Sequence, residues 1–149
     1  MKTVAQTGRL VLRHFTTADA AFYRRLVNEP SWLQNIGDRG IRTTADAEVY
    51  ICTTTFEGYK ALGFGMYVVE SKTDGTPLGV CGLVKRDTLP VPDIGFAFLP
   101  EHWGRGYALE AAGAIVEHAR TALALTKLLA IVNPENTPSC RLLEKLGFT

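Results

Sequence analysis

The residue pattern predicts a mixed α/β or α+β layered domain, and three observations carry that prediction. Apolar runs with a two-residue period are interleaved with runs at three-four spacing, which favours layers of sheet and helix over a sandwich or a bundle. Two alternating runs, Phe64 to Glu70 and Leu78 to Lys85, flank Asp74-Gly75, a strong short-range hairpin signal. From Asp93 to Arg120 the chain reads as strand, glycine turn and helix, the unit around which the rest is organised. With 149 residues it is one domain by length, able to bury roughly two thirds of its extended surface in a single core.

Taken in order, Arg9 to Phe15 alternates as a strand, and Thr16-Thr17-Ala18-Asp19 has the Thr-x-x-Asp form of an N-terminal cap. The helix it opens sets Ala18, Phe22 and Leu26 on one face and leaves Arg24 and Arg25 to solvent. Pro30 and the Gly37-Asp38-Arg39-Gly40 cluster mark a loop carrying Trp32, Leu33 and Ile36, apolar residues that either close the core or wall a pocket. Thr43-Thr44-Ala45-Asp46 repeats the cap, and Ala45, Val49, Cys52, Phe56 and Tyr59 keep helical spacing until Gly63 ends the second helix. After the hairpin, Val91-Pro92 leads into a strand in which Ile94, Phe96 and Phe98 alternate with Asp93, Gly95 and Ala97, until Pro100 stops it. Past Trp103-Gly104-Arg105-Gly106, residues Ala108, Ala111, Ala112, Ile115, Val116 and Ala119 recur with the spacing of one helical face. Lys127 to Val132 is a short aliphatic strand. Thr137-Pro138 then opens a last helix with proline near its first position, and Gly147 closes it.

The glycine turn has a chemical consequence. A helix start presents unpaired N–H groups and roughly half a positive charge from the macrodipole, so anions bind there. Gly104 and Gly106 place no Cβ between those groups and a ligand, and Ala108 adds only a methyl, so a diphosphate cofactor fits this loop. The match to the dinucleotide fingerprint G-x-G-x-x-G is partial, because Leu109 stands where the third glycine belongs. Taken alone, the two glycines read equally well as shaping a tight strand-to-helix turn.

Composition excludes several classes. Sixteen basic against fifteen acidic residues leave a net charge of +1, which carries no electrostatic footprint for nucleic acid or an anionic membrane. No apolar run approaches the ~20 residues of a membrane span, and no signal peptide is evident, so a cytoplasmic location is expected. Cys52, Cys81 and Cys140 form an odd, widely spaced set within apolar patterns, which argues against disulfides or a zinc site. They read as reduced core residues, and nothing local marks His14, His102 or His118 as the base of a cysteine nucleophile.

Two stretches carry a family resemblance. Trp103-Gly104-Arg105-Gly106-Tyr107-Ala108 follows the strand start Asp93-Ile94-Gly95-Phe96. Asn133-Pro134-Glu135-Asn136-Thr137-Pro138-Ser139 runs on through Arg141-Leu142-Leu143-Glu144-Lys145-Leu146-Gly147-Phe148. Together they resemble the two signature motifs of the GNAT acetyltransferases, in particular the branch of ribosomal-protein N-terminal acetyltransferases. Trp103 departs from the family's Gln or Arg, a departure familiar in that branch. Gly8-Arg9-Leu10-Val11-Leu12-Arg13 resembles its opening strand, so the likeness covers nearly the whole chain and is weakest from Trp32 to Lys60.

The resemblance implies a central mixed, mostly antiparallel sheet with helices on both faces, whose fourth and fifth strands splay to admit the pantetheine arm of acetyl-CoA. It further implies that backbone N–H groups near Phe98 and Leu99 hold the thioester carbonyl as it becomes an oxyanion. The loop of Trp103, Gly104, Arg105, Gly106, Tyr107 and Ala108 would hold the diphosphate. Asn136 would contact the pantetheine arm, and Ser139 would sit beside the thiol. The segment around Trp32 falls where the family builds its acceptor site. After Thr149 the family continues into two more strands. Without these C-terminal strands, the strand from Lys127 to Val132 is expected to keep an unpaired edge or to borrow a partner from a second copy, as a homodimer.

The implied activity is acetyl-CoA-dependent N-acetyl transfer by direct attack of a primary amine on the thioester, with no metal. The alternative is an acyl-CoA-binding module that uses the same fold without catalysis. Transfer needs a neutral amine, an oxyanion donor and a means of neutralising the departing thiolate. Asp93 is the candidate to take the amine proton, directly or through water, the plain reading being a solvated strand-end carboxylate. Many family members place an acidic tyrosine in the last helix, but Leu143 occupies that position here. Ser139 is left to serve the thiolate, unless it only begins the helix. An α-amine, with a pKa near about 7.7–8.0, is roughly a tenth neutral at pH 7, against about one part in 2,500 for lysine. With no evident His or Glu base, a protein or peptide N-terminus or a small-molecule amine is expected over an internal lysine.

Overall fold

A computed structural model describes residues 2–131 and 135–148. Its six strands are β1 (Thr3–Gln6), β2 (Leu10–Arg13), β3 (Met66–Ser71), β4 (Pro77–Val84), β5 (Asp93–Phe98) and β6 (Leu129–Ala130). They form one sheet in chain order, antiparallel throughout except for the parallel pair β5–β6. The helices are α1 (Ala20–Val27), α2 (Pro30–Asn35), α3 (Thr44–Tyr50), α4 (Phe56–Leu62), α5 (Tyr107–Thr121) and α6 (Thr137–Lys145).

Strand alternation sorts the side chains into two cores. On one face, Leu10, Leu12, Tyr67, Val69, Cys81, Leu83, Ile94 and Phe98 pack under Ala111, Ala112, Ile115 and Ala119 of α5, with Leu143 of α6. On the other, Val68, Val80 and Leu99 pack with Tyr23, Leu26, Trp32, Ala47 and Ile51 from α1, α2 and α3. The sheet is thus covered on both faces. Arg13 is buried beside this second core and is held by two carboxylates, Asp19 at 2.8 Å and Glu70 at 2.9 Å.

Several expectations are corrected. The strand expected at Arg9 to Phe15 is β2 alone, preceded by β1, and Arg9 lies in the turn between them. Ala18 is exposed, because the cap opens a single 3₁₀ turn at Thr17–Asp19, and the buried face of α1 is Ala20, Tyr23, Leu26 and Val27. The loop expected after Pro30 is helix α2, with proline at its start, where the absent N–H costs nothing. Trp32 closes the core from this helix, whereas Leu33 and Ile36 face solvent.

The second helix is correct in extent but not in face. A π turn at Ile51–Thr55 joins α3 to α4. Ala47 and Ile51 are buried before it, Phe56 and Tyr59 are partly buried after it, and Ala45, Val49 and Cys52 point outward. The extra residue of the π turn moves the helix from one apolar stripe to the other. Cys52 is therefore an exposed thiol and not a core residue, while Cys81 is buried and Cys140 intermediate. Burial pushes the Cys81 thiol well above its ordinary range, so it is no nucleophile.

Of the strand expected at Lys127 to Val132, the described residues pair over Leu129–Ala130, and β6 is the last strand of the sheet among the described residues. Val132, Asn133, Pro134 and Thr149 lie outside the described residues.

Candidate active site

The candidate site begins where β5 loses one neighbour. Asp93 pairs with Leu129 and Ile94 with Ala130, and beyond Ile94 that edge of β5 has no strand partner among the described residues. On its other edge β5 stays fully paired with β4 as far as Phe98. The Leu99 N–H donates to Leu78 O at 3.0 Å, so by antiparallel alternation Asp93, Gly95 and Ala97 also turn their backbone polar groups toward β4. Phe96 and Phe98 turn theirs toward the open edge. Of the two donors expected for an oxyanion, Leu99 is therefore corrected, since its N–H is committed within the sheet. The Phe98 N–H has the required direction.

Below Phe98 the chain makes a compact turn. Pro100–His102 is a single 3₁₀ turn, and the Trp103 indole N–H donates to Phe98 O at 2.8 Å. The carbonyl of Phe98 is thereby occupied. Trp103 fastens the glycine loop to the end of β5 while its ring stays 55% exposed. Gly104 (φ +77°) and Gly106 (φ +79°) both adopt left-handed backbone, which suits glycine and strains other residues. A Cβ on Gly104 would meet nothing within 4 Å, so the loop presents open space and not a packed turn. Helix α5 starts directly after Gly106, and its first internal bond is Glu110 N–H to Gly106 O at 3.1 Å. The N–H groups of Tyr107, Ala108 and Leu109 therefore precede the helical ladder, as an anion site requires.

Two side chains that the sequence reading passed over control charge at this loop. Glu110 lies in the first turn of α5, where its carboxylate would oppose an incoming diphosphate. The Arg9 guanidinium neutralises it at 2.8 Å, stacks over the Tyr107 ring at 4.5 Å, and lies 3.5 Å from where a Gly106 Cβ would stand. Thr7 also donates its hydroxyl to Glu110. Burial pushes the Glu110 carboxyl up, but the bonds from Thr7 and Arg9 outweigh it and hold the group below its usual range. No local signal in the sequence pointed to this pair, because Arg9 stood in an expected strand and its nearness to α5 is set by the sheet order.

Asp93 is not the solvated strand-end carboxylate of the plain reading. It is 2% exposed, because β4 and β6 flank it, and its Oδ1 accepts from Arg86 Nε at 3.1 Å. Along β5 it stands five residues from Phe98, on the order of 16 Å. Asn136 is the N-cap of α6, its side-chain oxygen accepting the Ser139 N–H at 3.4 Å, and Ser139 is the third residue of that helix, half-buried. Leu143 is buried in the core under α5, so no acid replaces the absent tyrosine there. Asn133 and Pro134, the start of the second motif, fall outside the described residues. Among the described residues no group of three His, Cys, Asp or Glu side chains could hold a metal ion, and no helix is long and apolar enough to cross a membrane.

A half-opened parallel strand pair, a backbone donor at its edge and an anion-binding glycine loop below define a protein that takes an acyl group carried on a long phosphorylated thiol. The Acetyltransferase (GNAT) domain family matches residues 9–149, and this chain belongs to the GNAT acetyltransferase family. An uncharacterized N-acetyltransferase of Bacillus licheniformis, p20, is 37% identical over 95% of this chain and 80% of its own length. The crystal structure of an acetyltransferase from Agrobacterium tumefaciens superposes with TM-score 0.83 at 28% identity, covering 99% of this chain and 83% of that one. A ribosomal-protein-S5-alanine acetyltransferase from Vibrio fischeri shares the fold at TM-score 0.81 and 19% identity, over 97% and 81% of the two chains. The chain is accordingly an N-acetyltransferase of mixed α/β GNAT fold, for which acetyl-CoA is the acetyl donor.

Proposed function

We propose that the chain transfers the acetyl group to a primary amine, either the α-amine of a protein or peptide N-terminus or the amine of a small molecule, by direct attack on the thioester. The observation that carries this reading is the conjunction of an edge of β5 at Phe98 that has no strand partner among the described residues with the open left-handed glycines six and eight residues later. The diphosphate rests on the backbone from Gly104 to Ala108, flanked by Trp103, Arg105 and Tyr107. The Phe98 N–H receives the oxyanion that forms as the amine adds to the carbonyl. The Ser139 hydroxyl passes its proton to the departing thiolate and is reprotonated from solvent in the same step, and Asn136 caps the start of α6 that carries Ser139. Asp93 takes the amine proton only at the end of a chain of waters, because it stands about 16 Å along β5 from Phe98 and is ion-paired with Arg86.

A weak, water-mediated base supports an α-amine over a lysine, since the α-amine is already neutral in about a tenth of molecules at pH 7. The test is a turnover screen of peptides and small amines with acetyl-CoA, read by thiol release and product mass. Amine-dependent thiol release with acetylated product is the expected result. Tight acetyl-CoA binding without acetyl transfer to any amine would leave a binding module and overturn the catalytic reading.

A further inference from the structure

We propose that the acceptor is a primary amine that also carries a carboxylate, and that Arg39 on the α1–α3 side of the sheet recognises it. This rests on the acetyl-transfer reading above. Arg39 leads into a shallow depression of about 290 Å³ lined by Gly40, Ile41, Asp46, Val49, Tyr50 and Thr53. Its guanidinium donates to the Tyr50 hydroxyl at 2.6 Å and lies over the rings of Trp32 at 5.3 Å and Tyr50 at 5.5 Å. It is therefore positioned by aromatic groups, and no carboxylate pairs with it among the described residues.

The neighbouring acids are committed elsewhere. Asp46 accepts the backbone N–H groups of Arg42 and Thr43, closing the cap of α3. Asp38 pairs with Arg42 and accepts the Gly40 N–H. One further donor is unmatched: the buried Trp32 indole N–H, beneath Arg39, has no acceptor among the described residues. A guanidinium offers five donors, and the one acceptor drawn on here is a phenol oxygen, so the cluster holds a surplus of donors and a positive charge. A carboxylate in the depression supplies acceptors to the guanidinium with charge-assisted bonds, whereas a polycation is repelled.

The depression lies over the face of the sheet to which Ala97 of β5 also contributes. Tyr50 and Ala97 pack against the same core as Trp32 and Leu99, on the face of β5 shared by Gly95 and Ala97. An amine anchored by its carboxylate at Arg39 enters from that face. A free amino acid and a peptide with an acidic side chain both present this chemistry.

The experiment measures acetylation of matched pairs: glycine, β-alanine and γ-aminobutyrate against their amides, and Ser-Ala-Ala-Glu against Ser-Ala-Ala-Gln, both C-terminally amidated. The expected result is that, in at least one pair, the carboxylate member exceeds its neutral partner about tenfold or more in kcat/KM, the ratio for one charge-assisted contact. The pair that responds identifies the amino acid or the acidic peptide as source. Arg39→Ala should abolish the preference by raising KM with kcat kept, and Arg39→Lys should restore part of it. Equal rates within every pair, or a preference that survives Arg39→Ala, overturns the inference. If no amine is acetylated, equilibrium dialysis of the same labelled pairs with coenzyme A present decides the matter. Arg39-dependent uptake of the carboxylate member upholds the pocket and overturns only the transfer reading, while equal uptake overturns the pocket.

Discussion

Gly79→Ala should separate the oxyanion donor from the rest of the site. Gly79 is buried on β4, directly opposite Phe98 on β5. A Cβ there would stand 2.4 Å from Ala97 O and 2.7 Å from the Phe98 ring, whereas ordinary contact begins at 3.4 Å. Because Ala97 O is backbone, relief requires β5 to move by about 1 Å, at a cost of about 1–3 kcal/mol for overpacking. In a chain of this size that lowers Tm by roughly 3–12 °C. The same movement displaces the Phe98 N–H, and misplacing or losing such a donor costs about 10²–10³ in kcat. Acetyl-CoA affinity should change little, since the glycine loop is untouched. Gly82→Ala is the control on the same strand: its Cβ would meet Gly65 O at 2.2 Å, on the β3 side. It should lower Tm comparably while the folded protein keeps its kcat. Melting curves, single-turnover rates and calorimetric titration of acetyl-CoA check these values. A folded Gly79→Ala protein with undiminished kcat, or equal losses in both variants, would refute the assignment of Phe98.

Further outcomes follow from the same geometry. Gly106→Glu combines a strained left-handed glutamate with a negative charge in the anion site, so calorimetry of the folded variant should detect no acetyl-CoA binding. Arg9→Ala should weaken acetyl-CoA several-fold, about 1 kcal/mol, by unmasking Glu110, and adding Glu110→Gln should restore affinity; failure of that rescue would mean Arg9 acts only through packing. Ser139→Ala should lower kcat by about 10²–10⁴ with affinity nearly kept, and full activity across pH would reduce the serine to a helix-start residue. Acid should destabilise the fold in two stages, followed as Tm against pH. Burial, then the charge of Lys2, hold His14 and His118 below their usual range, so the stability they lend is present above pH 6.5 and is lost as pH falls below it. Burial pushes Asp19 up, but Arg13 and Thr16 outweigh it and depress the carboxyl, so its contribution is present above its ordinary 3.8 and disappears as pH falls further. A Tm that is flat from pH 7 to 3 would contradict both assignments.

Much of the fold was legible because local chemistry and tertiary demand agreed. Asp74-Gly75 makes the β3–β4 connection, Gly63 ends α4 in left-handed conformation, and the alternation of Ile94, Phe96 and Phe98 sets the α5 face of β5. The second helix failed where two apolar stripes were available. Ala45, Val49, Cys52, Phe56 and Tyr59 follow ideal helical spacing, yet the chain buries Ala47 and Ile51 and then changes stripe through a π turn. The Tyr59 hydroxyl is bonded to Met66 O and the Phe15 N–H, which fixes the second half of the helix from β3 and from the segment just after β2. No local spacing rule carries that information.

The candidate site divides in the same way. Gly104, Gly106 and the start of α5 were visible because their requirement is local: left-handed backbone and unpaired N–H groups at a helix start. Arg9 is 101 residues from Glu110, and the two meet only because the β1–β2 turn is brought to α5 by the sheet. Leu99 was misassigned because adjacent strand residues differ in which edge their N–H groups face, a parity set by the register with β4 and not by residue type. The plain alternative for Asp93, a solvated strand-end carboxylate, fails because its cover comes from Arg86 and from β6, a strand 36 residues later that pairs over two positions among the described residues. That same two-residue pairing leaves Phe96 and Phe98 without a strand partner on that edge among the described residues. The feature that hides Asp93 and the feature that exposes the donor are therefore one: among the described residues β6 joins β5 only at Asp93 and Ile94, so the parallel pair is closed around the carboxylate and open at Phe98, where the proposed reading brings the thioester.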